Sequence, residues 1–206
     1  NINFNLLKHR GPDNFASFAT DSGVYLAHNR LSIIGLDKSS DQPMQGPNGT
    51  TIVFNGEIYN YKDLKNDLLV DYNFQSSSDT EVILALYQRY GYSCVDHLRG
   101  MFAFAIWDEA KQILFCARDR FGVKPLYYIN NESQLVFGSE MKALLPFLNN
   151  ITTNNNALSE YLTFQYTLGA DTLFTDIKQL MPGHILILEN KQLNIKKYWD
   201  VTYNID

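Results

Sequence analysis

The chain has 206 residues, with 22 acids against 17 bases for a net charge of −5, and is 45% hydrophobic and 19% charged. That length suits one sizeable domain or two small ones, and the composition supports an ordinary buried core. The acidic balance argues against non-specific nucleic-acid binding, which needs a basic face. No apolar run reaches membrane-spanning length and no signal-peptide pattern opens the chain, so a cytoplasmic setting is expected.

In chain order, His9-Arg10-Gly11-Pro12-Asp13 reads as a rigid turn, with Gly-Pro as the breaker and two cationic flanks. Residues 15–19 and 24–27 flank Asp21-Ser22-Gly23 and form an expected hairpin, whose second strand runs on to residue 34. Alternation puts Arg30 on the face of His28 and Ser32, with Leu31 and Ile33 opposite. An arginine in such a strand either reaches solvent or waits, as a planar fork, for a carboxylate.

A helix is expected over 60–69. A second follows Ser78 and carries an apolar stripe of Val82, Ile83, Leu86, Tyr87 and Tyr90. Ser78 with Glu81 reads as a capping box, and Asp79 lies in the first turn, at an exposed helix start facing the dipole. Hairpins are expected over 101–117, 126–137 and 184–199, and short helices over 141–147 and 158–166. Residues 149–156 form an Asn-rich, linker-like junction. The predominance of hairpins with covering helices predicts an α+β layered fold, not alternating βαβ units.

The stretch Phe54-Asn55-Gly56-Glu57 carries the most chemistry. Asn-Gly is a common hairpin turn, and from these residues alone the turn reading stands ahead, with the strand ending at the triplet. The alternative is a site: a side-chain amide and an open backbone N–H holding a developing oxyanion, beside a carboxylate that holds a cation. No dinucleotide or Walker glycine loop, metal-ligand spacing or Gly-x-Ser-x-Gly elbow occurs. Cys94 and Cys116 read as buried, inert thiols.

Several stretches together resemble the class II glutamine amidotransferases. They are His9-Arg10-Gly11-Pro12-Asp13, Arg30-Leu31-Ser32-Ile33, Gln42-Pro43-Met44, Asn55-Gly56-Glu57-Ile58-Tyr59-Asn60, Ser78-Asp79-Thr80-Glu81 and Gly100-Met101-Phe102-Ala103-Phe104. Three more stretches narrow the resemblance to the glutamine-hydrolysing asparagine synthetases. These are Arg118-Asp119 with 122–128, Ser139-Glu140-Met141-Lys142-Ala143, and Leu180-Met181-Pro182-Gly183-His184 followed by Tyr198-Trp199.

The resemblance implies an N-terminal-nucleophile hydrolase-type αββα sandwich, with two stacked antiparallel sheets between helical layers. It covers residues 1–206, and the final hairpin from about 181 leads toward a synthetase domain. It implies that glutamine's α-carboxylate binds Arg30, with Leu31, Ile33 and Ile34 lining the same pocket. The α-ammonium binds Glu57 and Asp79, and the oxyanion binds Asn55 and Gly56, which puts the site reading of that pair ahead of the turn. The family nucleophile is a cysteine at the mature N-terminus whose own amine is the general base. Asn1 stands first here, so the chain as given is expected to lack that strand and to turn over no glutamine. No metal or cofactor is expected in this domain. ATP and Mg belong to the synthetase half of the parent, which would pass ammonia to activated aspartate. The resemblance implies L-glutamine and that half as partners, leaves room for a homodimer, and excludes nucleic acid and membrane. Relatives with another ammonia acceptor, and a non-catalytic glutamine-binding module, are the alternatives.

Overall fold

A computed structural model describes residues 4–31 and 38–203; Ile33 and Ile34, expected in the glutamine pocket, lie outside the described residues. The centre of the fold is a six-stranded antiparallel sheet in the order β11-β10-β6-β5-β4-β3. Its members are β3 (Met44–Gln45), β4 (Thr50–Ile58), β5 (Gly100–Asp108), β6 (Ile113–Arg118), β10 (His184–Glu189) and β11 (Gln192–Lys197). The β4 and β5 strands pair along their full length, from Thr50 opposite Asp108 to Ile58 opposite Gly100.

Period-2 alternation sorts these strands onto two faces. Ile52, Phe54, Ile58, Phe102, Phe104, Ile106 and Phe115 face one core. Val53, Ala103, Ala105, Trp107, Leu114 and Cys116 face the other. The first face is covered by α1 (Tyr61–Asp67), α2 (Asp79–Tyr90) and α3 (Cys94–His97). In α2 every residue from Asp79 to Tyr87 is buried, more than the expected stripe. Helices packed on more than one side are apolar around most of their circumference.

The second face carries two smaller sheets. One is the hairpin β1 (Asn14–Ala19) and β2 (Tyr25–Arg30); the other has the order β8-β7-β9, from β7 (Tyr127–Asn130), β8 (Leu135–Gly138) and β9 (Lys178–Gln179). Leu26 of β2, Tyr128 of β7 and Leu180 share one buried cluster with the back of the large sheet. The second layer is therefore present in two pieces among the described residues. Its outer covering includes one-turn 3-10 segments at Met141–Ala143 and Leu145–Phe147, packed with Ile129 and Ile177.

Four local expectations are corrected. The strand does not stop at the Asn55-Gly56-Glu57 triplet: β4 runs through it to the fully buried Ile58. Gly56 and Gly100 have φ of 153° and 159°, and each backbone fits against the opposite strand only without a Cβ. Ser78 caps α2 through Thr80 N–H, but Glu81 does not close a capping box. It reaches back to the N–H groups of Gln75 and Ser76 instead. The helix expected over 141–147 is split into 3-10 turns by Pro146, which has no N–H to donate. Finally, the Asn-rich junction opens α4 (Asn155–Phe164), with Asn154 accepting from Ala157 N–H at 3.2 Å.

Candidate active site

A cavity of about 390 Å³ lies where the two pieces of the second layer meet the large sheet. All of β2 lines it, as do residues 136–138 of β8, residues 53–57 of β4, and Asp79 at the start of α2. The sequence-predicted residues Arg30, Leu31, Asn55, Gly56, Glu57 and Asp79 all border this one space.

The β4 strand reaches the cavity along an edge that β5 does not occupy. Antiparallel pairing turns alternate residues' backbone groups outward. Phe54 N–H donates to Gln42 Oε1 at 2.6 Å, and Ile58 N–H donates to Asp79 Oδ2 at 2.9 Å. Gly56, midway between them, presents its N–H on the same edge. Alternation sends the Asn55 side chain to the face of Val53, between the layers. Its Nδ2 is buried and has no hydrogen-bond partner among the described residues. Leaving a buried donor unpaired costs about 1–3 kcal/mol, so an idle one beside a cavity marks a place where a ligand's acceptor belongs.

Arg30 is buried, at 7% exposure, and is not a surface arginine. Its guanidinium is paired with Asp41, whose other oxygen accepts from Asn14 Nδ2 at 2.9 Å. The pairing offsets part of the desolvation cost and fixes the fork's orientation.

Asp79 was expected at an exposed helix start but is 4% exposed. The helix start is folded under β4, where the carboxylate accepts Ile58 N–H. Burial raises its pKa above the usual carboxylate value, and the neighbouring Glu57 adds to that against backbone hydrogen bonds that lower it. A cation placed between the two acids would relieve both effects.

Other residues missed by sequence reasoning complete the walls. The His28 ring lies in the wall with Nε2 3.1 Å from Phe54 O. Gln42 ties Phe54 N–H to Thr80 on α2. His9, Arg10 and Lys142 are more than solvated flanks: all three converge on Glu140, at 2.9, 3.2 and 3.0 Å. They pin the Gly-Pro turn beside the cavity, which Arg10 and Ser139 help to line. Asp119 accepts N–H groups of Phe102, Phe121, Val123 and Lys124. Arg118 donates to the carbonyls of Gly122, Lys124 and Leu180. Together they set the turn that brings Lys124, Pro125 and Leu126 to the cavity. Cys94 and Cys116 are fully buried outside it, and burial pushes both thiols well up from their ordinary values.

The model of the glutamine amidotransferase domain matches residues 2–199. The chain belongs to the glutamine amidotransferase domain family. This amidotransferase domain is 40% identical to asparagine synthetase [glutamine-hydrolyzing] 1 of Bacillus subtilis, over 96% of the chain and 30% of that protein. It is 39% identical to asparagine synthetase [glutamine-hydrolyzing] 3 of the same organism, over 95% of the chain and 32% of that protein. Amidase chry2 of Gibberella zeae is 38% identical over 96% of the chain and 30% of its own length. The chain thus spans about a third of the length of the curated relatives it matches. Among solved structures, glutamine phosphoribosylpyrophosphate amidotransferase from B. subtilis superposes with a TM-score of 0.66 at 21% identity, covering 94% of this chain and 44% of that one. That likeness carries the fold: an α+β arrangement of stacked antiparallel sheets with helices. No helix among the described residues is long and apolar enough to cross a membrane.

Proposed function

We propose that the cavity binds L-glutamine and that the domain is the glutaminase part of a glutamine-hydrolysing asparagine synthetase. The observation that carries this reading is the idle, buried Asn55 Nδ2, on a residue that lines the same space as one guanidinium and two carboxylates. A free amino acid with a carboxamide presents the matching set: a carboxylate for Arg30, an ammonium for Glu57 and Asp79, and a carbonyl oxygen for Asn55 Nδ2 and Gly56 N–H. Leu31 closes the carboxylate end, and Ile33 and Ile34 belong to the same stretch.

In the proposed reaction a thiolate attacks the carboxamide carbon. The oxygen takes up negative charge against Asn55 and Gly56, ammonia leaves, and water hydrolyses the thioester to glutamate. The attacking thiol in this reading is that of the N-terminal cysteine on which such glutaminases depend. Its free α-amine, titrating near ~8, takes the thiol proton at neutral pH. Neither Cys94 nor Cys116 has access or a free amine. The parent's synthetase half, using ATP and Mg, would deliver the ammonia to activated aspartate.

The near-equal similarity to a fungal amidase favours a second reading that differs only in the acceptor of that ammonia. Glutamate release separates the central reading from its failure. The protein in a form that carries the family's N-terminal cysteine is expected to hydrolyse glutamine, and its Cys→Ala variant to release no glutamate. No glutamate release from the cysteine form, or an unchanged rate in its Cys→Ala variant, contradicts the proposal.

A further inference from the structure

Three buried side-chain polar atoms among the described residues lack a hydrogen-bond partner: His28 Nδ1, Asn55 Nδ2 and Arg120 Nε. Two of them, His28 and Asn55, belong to residues in the cavity wall. Both residues lie on elements that meet in one cluster. Leu26 and His28 share one face of β2, as Val53 and Asn55 share one face of β4. Leu26 and Val53 pack in one cluster, and the next residues on those faces are His28 and Asn55. The His28 ring abuts the peptide that joins Phe54 to Asn55, through its contact with Phe54 O.

That contact fixes the ring's chemistry. A carbonyl oxygen only accepts, so Nε2 must carry the hydrogen. The ring is neutral, because burial lowers its pKa to about 4, against the Phe54 hydrogen bond that raises it, with nearby Arg30 reinforcing the burial and Asp41 opposing it. A neutral ring with hydrogen on Nε2 has a bare lone pair on Nδ1. Two residues of one cavity wall therefore hold one idle donor, Asn55 Nδ2, and one idle acceptor, His28 Nδ1. A primary carboxamide is the complement of that pair, since it offers one carbonyl acceptor and an NH₂ donor. A carboxylate is not, because it has no hydrogen for Nδ1 and brings a negative charge to a lone pair.

We propose that His28 is a specificity-determining residue: its Nδ1 accepts an N–H of the glutamine carboxamide while Asn55 Nδ2 donates to the carboxamide oxygen. The pair reads a primary amide and rejects the carboxylate of glutamate. This rests on the glutamine reading of the cavity. It also gives the site a means of releasing its product, because the group that His28 holds leaves as ammonia.

The test is calorimetric titration of the 206-residue chain with L-glutamine and, separately, L-glutamate, in wild type, His28→Gln and His28→Asn. The Gln Nε2 stands where the ring Nε2 stood and keeps the bond to Phe54 O, but it places no acceptor at Nδ1. The Asn Oδ1 stands at Nδ1 and keeps the acceptor. The wild type is expected to prefer glutamine by about ten- to a hundredfold, the worth of one buried hydrogen bond plus one avoided mismatch. His28→Gln is expected to lose most of that preference and His28→Asn to keep it. Equal affinity of the wild type for both ligands, or an undiminished preference in His28→Gln, overturns the role of His28 and leaves the glutamine site standing. Binding of neither ligand overturns both. A long-range ¹H–¹⁵N spectrum of the wild-type ring needs no variant to fold: it is expected to show hydrogen on Nε2, and hydrogen on Nδ1 would overturn the proposal.

Discussion

Replacing Gly56 by alanine tests whether close approach of β4 and β5 builds the site. An added Cβ would lie 2.1 Å from Met101 O and 2.8 Å from Phe102 Cα, both backbone atoms of the adjoining strand. Cβ atoms essentially never approach other atoms closer than 3.0 Å, so one strand must move by about an ångström, and the nine-residue pairing transmits the movement. The φ of 153° is also unfavourable for a residue with a Cβ, at about 1–3 kcal/mol. Overpacking adds about 1–3 kcal/mol. The combined loss expected for Gly56→Ala is about 2–6 kcal/mol, measured by urea unfolding of the 206-residue chain. Gly23→Ala is the control, because a Cβ there meets nothing within 4 Å and only its positive φ counts against it, at about 1–2 kcal/mol. A loss at Gly56 no larger than at Gly23 would refute the claim that the strands touch there.

Other outcomes follow from the site. Asn55→Ala, in a form of the protein carrying the N-terminal cysteine, should lower kcat by about 10²–10³; an unchanged kcat removes it from the oxyanion role. Asp79→Asn should leave the fold within about 1 kcal/mol, because an amide oxygen still accepts Ile58 N–H, yet weaken glutamine by about tenfold or more through loss of a charge-assisted contact; calorimetry with intact affinity would contradict this. His28 should make the fold acid-sensitive. Its folded pKa of about 4 lies below the ordinary 6.5, so the unfolded chain binds the extra proton and stability falls as pH drops from 6.5 toward 4. Between pH 7 and 4.5 the loss is about 2–3 kcal/mol, and urea titrations of His28→Gln should lack that component.

Much of the architecture was legible in the residues. The hairpins over 101–117 and 184–199 stood out because β-branched and aromatic residues alternate between turn signals. The Asn55-Gly56 site was harder to read, because the dipeptide that makes a good turn also suits a strand pressed against its neighbour. Only the register with Ala103 and Phe102 separates the two. The contacts that shape the site were hidden. Arg30 to Asp41, Ile58 to Asp79 and His28 to Phe54 span 11, 21 and 26 positions, and no periodicity reports such tertiary pairings. Burial of Asp79 was missed for the same reason: helix-start chemistry explains an acid there whether or not a strand lies on top of it. The helix over 141–147 failed on Pro146, a breaker present in the sequence but outweighed by the apolar residues around it.

The glutamine site itself is tested most directly by titrating L-glutamine into uniformly ¹⁵N-labelled 206-residue chain and following two resonances, the Asn55 side-chain amide and the Gly56 backbone amide. Both should shift together and saturably, with D-glutamine producing neither change. If glutamine leaves these two amides where they were, or moves only residues remote from Arg30, Glu57 and Asp79, the cavity is not its binding site.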